Sequence, residues 1–134
     1  MILKVEHIGI AVKDLAASSD LFGKLLGRSP YKTEAVESEG VITLFFATGD
    51  TKIELLEATN ENSPIAKFIE KRGEGIHHIA FEVDDIEAEI ERLQKEGFTL
   101  LNTTPKPGAD NKRIAFLHPK STNGVLVELC QEIK

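Results

Sequence analysis

Apolar and polar residues alternate through "VEHIGIAV", Val5 to Val12, and again through "IHHIAFEV", Ile76 to Val83. A period of two is that of a strand with one buried face. An acidic residue follows each run, Asp14 or Asp85, and the period then lengthens to that of a helix. In the second instance Ile86, Ile90 and Leu93 fall at i, i+4 and i+7, with Asp85 as N-cap and Gly97 as the stop. The first helix is weaker: Leu15, Phe22, Leu25 and Leu26 are its apolar residues, Gly23 lies inside it, and Asp14 and Gly27 mark its ends. Three further extended stretches follow in each half, so each half reads β-α-β-β-β. Between the halves, "NSPIAKFIEKRGEG" predicts a short connecting helix, with Ser63 as N-cap, Pro64 at the first helical position and Gly73 ending it.

The two halves are one pattern written twice. His7 falls on His78, Ile8 on Ile79, Gly9 on Ala80, Val12 on Val83, Asp14 on Asp85 and Gly27 on Gly97. "ITLFFATGD" resembles "RIAFLHPK", and "KIELLE" resembles "LVELCQ". Recurrence of the match across several elements, in order, marks an internal repeat. The expected fold is α+β: two paired βαβββ modules in a curved, barrel-like mixed sheet with the helices outside. Residues 1–134 are expected to form one domain, with module one at about 1–60, the connecting helix at about 63–73 and module two at about 74–134.

Composition narrows the function classes. The 134 residues are 41% hydrophobic and 28% charged, and no apolar run approaches the roughly 20 residues of a membrane span. Nothing at the start resembles a secretory signal, so a cytoplasmic location and no membrane partner are expected. A net charge of −6, with Lys and Arg scattered among Asp and Glu, provides no basic stripe for nucleic acid. The single cysteine, Cys130, permits no internal disulfide, and a metal site would have to draw on His and carboxylates.

Strand alternation puts His7, Gly9 and Ala11 on the face opposite Ile8, Ile10 and Val12, and His78 and Ala80 opposite Ile79, Phe81 and Val83. Glu54 stands between Ile53 and Leu55, and Glu128 between Val127 and Leu129. Each half thus offers one His and one Glu on the face expected to meet no helix. A carboxylate set among apolar strand neighbours calls for a partner or a metal. His7, Glu54, His78 and Glu128 would suit one divalent ion such as Co, Mn, Ni, Fe or Zn, with two octahedral positions left open for substrate. His77 is read as a neighbour on the other face, and His118 as a loop residue, either structural or at the pocket rim.

These residues resemble the vicinal oxygen chelate superfamily, in which paired βαβββ modules enclose a divalent metal. Within it, "VEHIGIAV", "KIELLE", "SPIAKFIEKRGEGIHHIAFEVDDI" and "FLHPKSTNGVLVELCQ" are similar to the methylmalonyl-CoA epimerase family over essentially the whole chain. The resemblance implies the same four metal ligands and an isomerase that removes and returns a proton at C2 of an acyl-CoA substrate through a metal-stabilised enolate. Glu54 and Glu128 are then the expected acid/base residues, and a homodimer the expected assembly. One position departs from the pattern: where some epimerases carry a glutamate after the "GV" step, this chain has Thr43, which cannot take a proton. Thr43 and the loop residues Lys120, Ser121 and Asn123 are the expected substrate contacts. The competing expectations are a glyoxalase I type lyase and a non-catalytic binding module of the same fold.

Overall fold

The computed structural model describes residues 1–133. Its elements run β1 (Ile2–Ala11), α1 (Leu15–Leu26), β2 (Lys32–Val36), β3 (Val41–Thr48), β4 (Thr51–Ala58), α2 (Pro64–Arg72), β5 (Gly75–Val83), α3 (Ile86–Lys95), β6 (Lys106–Gly108), β7 (Lys112–Leu117) and β8 (Val127–Glu132). The chain divides into two compact units: the first is His7–His77, and the second is Met1–Glu6 together with the chain from His78 onward.

The first unit orders its strands β2-β3-β4-β1, with β1 parallel to β4 and the other pairs antiparallel. In the second the order is β6-β7-β8-β5, with β5 parallel to β8 and the rest antiparallel. Identical topology in α+β units is what the sequence repeat predicts, and local details repeat with it. Asp14 caps α1 by accepting from the Ala17 N–H, and Asp85 caps α3 by accepting from that of Ala88, each at 3.1 Å. The next free helical N–H is met from the last strand of each module: Leu15 donates to Glu57 Oε1 at 2.8 Å, and Ile86 to Gln131 Oε1 at 2.9 Å. Orphan donors at a helix start need such acceptors.

One sheet face in each unit carries the helix and an apolar cluster. In the second, Ile86, Ile90 and Leu93 of α3 bury against Val83, Ala115, Leu117 and Leu129. In the first, α1 packs Leu15, Phe22 and Leu26 against Val12, Leu44, Phe46 and Leu55. Leu25 does not join that stripe: it is 72% exposed, as a residue three positions past Phe22 and one before Leu26 falls off so narrow an apolar face. The α3 helix closes at Lys95, two residues before the expected stop at Gly97, with Glu96 as C-cap and Gly97 at φ 97 just beyond.

Two expectations change in the first unit. The β1 strand extends back to Ile2. The face of His7 is also not free of helices: Ala11, Val41 and Leu56, all on that face, bury against Ile65 of α2. Ser63 starts that helix directly after the β4 turn by accepting from the Ile65 and Ala66 N–H groups, which folds α2 back over the end of its own sheet. No helix among the described residues is long and apolar enough to cross a membrane.

Candidate metal and substrate site

Parallel pairing of β1 with β4 sets Gly9 beside Glu54 and His7 beside Lys52, so His7 and Glu54 share one face as near neighbours. Both are buried, at 5% and 4% exposure, and His7 Nδ1 lies 3.1 Å from Glu54 Oε2. The second unit repeats the arrangement. Ala80 pairs with Glu128, and His78 Nε2 lies 3.3 Å from Glu128 Oε1. The Phe116 ring and the His78 imidazole meet in a T-shaped contact, with centroids 6.1 Å apart at 84°.

The spacing within each couple fits a metal. Two donors about 2.1 Å from one ion and at right angles to each other are about 3.0 Å apart. Imidazole with carboxylate is also the donor set that divalent Mn, Fe, Co, Ni and Zn accept. The structure therefore brings the four sequence-derived ligands into two couples, one per unit, each of suitable span.

The remaining expected site residues are placed as follows. Thr43 is 2% exposed and faces the same side as Glu54, because Phe45 pairs with Glu54 and Thr43 with Leu56. Its partner on β2 is Glu34, which forms an ion pair with Lys32 at 3.2 Å. Lys120 and Ser121 lie on a one-turn helix, Pro119–Ser121, capped by His118 Nδ1 accepting from the Lys120 N–H. The Ser121 hydroxyl donates to the His118 carbonyl at 2.9 Å, and Asn123 takes a left-handed turn at φ 56. His118 is thus a structural cap. His77 points away from His78, edge-on to Phe68 of α2 at 5.0 Å, and burial lowers its pKa to about 4.

Sequence reasoning passed over Lys112, buried at 6% exposure on the face of Glu128, and Glu6, at 2%. The signal for Lys112 was available: in "KRIAFL" it shares a strand face with Ile114 and Phe116, two apolar residues. Cys130 also lies there, and burial pushes its thiol well above the usual range.

Twin βαβββ units, each with a buried His–Glu couple whose donors fit a divalent metal, define the fold class. The chain belongs to the Glyoxalase/Bleomycin resistance protein/Dioxygenase superfamily, whose family profile it matches over residues 6–116. It is 44% identical over 133 residues to the ethylmalonyl-CoA/methylmalonyl-CoA epimerase of Cereibacter sphaeroides, with 98% of this chain and 99% of that one covered. The crystal structure of methylmalonyl-CoA epimerase from Mycobacterium tuberculosis superposes with a TM-score of 0.94 at 35% identity, covering 99% and 90% of the two chains. A Streptomyces coelicolor methylmalonyl-CoA epimerase variant in complex with 2-nitronate-propionyl-CoA gives 0.91 at 36% identity, covering 98% and 96%.

Proposed function

We propose that the chain acts as a methylmalonyl-CoA epimerase, an isomerase that takes the proton from C2 and returns one to the opposite face. The observation that carries this is the pair of buried His–Glu couples at repeat-equivalent strand positions, in a chain whose near-full-length relatives bear that name. His7, Glu54, His78 and Glu128 together hold one divalent ion, Co, Mn, Ni, Fe or Zn. When bound, that ion supplies Lewis-acid stabilisation of negative charge developing on substrate oxygens.

The protein's own residues do the rest. Glu54 and Glu128 exchange the C2 proton, one on each face, since epimerisation needs a shuttle on both sides and the repeat supplies two equivalent carboxylates. Their burial keeps bulk water from quenching the carbanion. Thr43, without a titratable group, contributes packing and a hydroxyl against the acyl group. Lys120, Ser121 and Asn123 meet the coenzyme A portion through the Lys120 ammonium and turn N–H groups. The chain works as a single-domain cytoplasmic protein and as a homodimer, the last reading resting on family membership.

The test is solvent deuterium incorporation into methylmalonyl-CoA by proton NMR, with cobalt-loaded protein beside a chelator-stripped control. Metal-dependent loss of the C2 proton signal is the expected result. No exchange by metal-loaded protein overturns the proposal and makes the hemithioacetal of glutathione and methylglyoxal the substrate to assay.

A further inference from the structure

Lys112 is the one lysine or arginine among the buried residues described, with 6% of its surface exposed. Strand register fixes where it points. Ile114 pairs with Cys130 and Phe116 with Glu128, so Lys112, two residues before Ile114, shares the face that carries Glu128 and, through the Ala80–Glu128 pairing, His78. Among the described residues no hydrogen bond or ion pair to its ammonium is found. Glu6, Glu82 and Glu128 all lie within electrostatic range of the Cys130 thiol, as Lys112 does, and its strand partner is Glu132; none of them closes an ion pair with it. Among the described residues no side-chain nitrogen or oxygen sealed from solvent is left without a partner, so the ammonium tip meets water.

Lysine is seldom buried to this degree unless paired; here the stem is covered and the ammonium reaches water at its tip alone, where an anion can meet it. Among the described residues no carboxylate closes on that tip, and nothing in the proton transfers assigned to Glu54 and Glu128 uses this cation. We propose that Lys112 receives the free carboxylate of a malonyl-type CoA ester and so selects acyl groups that carry that carboxylate. The inference rests on the epimerase reading and deepens it. Glu128 repels an anionic acyl group, and a fixed cation on the same face offsets that repulsion.

The experiment is calorimetric titration of the full, cobalt-loaded chain with malonyl-CoA and with propionyl-CoA, which lacks the carboxylate, together with thermal melts of the metal-free protein. Wild type is expected to prefer malonyl-CoA. Lys112→Met should weaken malonyl-CoA by roughly 30-fold or more, the low end for truncating one partner of a buried charge pair. Propionyl-CoA should change by less than roughly 3-fold, within ordinary context scatter. Lys112→Arg should retain most of the preference. The melting temperature of the metal-free Lys112→Met protein should hold or rise, since an unneeded buried charge has been removed. A Lys112→Met protein that keeps the malonyl preference overturns the inference, as does one that loses both esters equally and melts lower, the mark of a structural lysine. A wild type that binds both esters alike overturns the role of Lys112 alone; one that binds neither overturns the epimerase reading as well.

Discussion

At the residue scale, the proposed roles of His78 and Glu128 are separable although the two side chains are 3.3 Å apart. Glu128→Gln keeps an oxygen donor but removes the proton acceptor. It should retain metal by elemental analysis while losing deuterium incorporation at C2 by roughly 100-fold or more, the low end for a general base. Full exchange in that variant sinks the base role. His78→Ala removes a ligand and should lower metal content itself. His77, one residue away, answers a different question. Burial lowers its pKa from 6.5 to about 4, so below pH 6.5 the unfolded chain takes up a proton that the native protein refuses. Stability should therefore fall as pH drops from 6.5 toward 4, by about 2 kcal/mol at pH 5, with no contribution from this group above 6.5. Urea midpoints at pH 7 and pH 5 test this: His77→Phe should lose about 2 kcal/mol less than wild type over the same interval. Equal losses would assign the acid sensitivity to other groups.

At the element scale, Gly40 joins two elements that the sequence shows only separately. It ends the one-turn helix Glu37–Glu39 at φ 62, and its carbonyl accepts from the Thr59 N–H at 2.9 Å. A Cβ there would meet Ser63 Cβ at 2.9 Å, and Ser63 is the cap of α2. Gly40→Ala should thus combine left-handed strain with a displaced cap, for a loss of about 2–4 kcal/mol in urea unfolding. Gly27, at φ 67 with nothing within 4 Å of an added Cβ, isolates the strain: Gly27→Ala should cost about 1 kcal/mol. Equal losses would mean that Ser63 moves aside freely. The caps Asp14, Ser63 and Asp85 were legible because each is a short polar side chain directly before an apolar period. Packing across elements was not. Periodicity could not show that α2 would fold onto Ala11, Val41 and Leu56, nor that Leu25 would face water, because both depend on the direction in which a loop returns the chain. The ligand candidates were legible for the opposite reason: the repeat marks His7, Glu54, His78 and Glu128 without any knowledge of loops. Lys112 breaks the repeat, falling opposite no second cation, and so carried no such mark.

At the scale of the whole molecule, each unit holds one imidazole and one carboxylate of the proposed four ligands, so the number of ions bound per chain is the decisive quantity. A single couple offers two protein ligands, fewer than the three or four that resident catalytic ions usually have, and would hold its ion weakly. Four ligands on one ion predict one equivalent per chain by elemental analysis after gel filtration, and loss of nearly all of it on replacing any one of the four by Ala. Independent sites predict the contrary: up to two equivalents in wild type, and a His7→Ala protein that still loads the His78–Glu128 couple. Thermal unfolding adds a second readout, since an ion bound only by the native chain stabilises it by about 2.7 kcal/mol at a free concentration one hundred times its Kd. That increment should vanish in the His7→Ala and His78→Ala proteins alike if one ion is shared, although the two residues belong to different units. Retention of half the metal in either variant would confine each ion to one couple. It would also leave Glu54 and Glu128 on separate ions, where they could not serve the two faces of one substrate carbon.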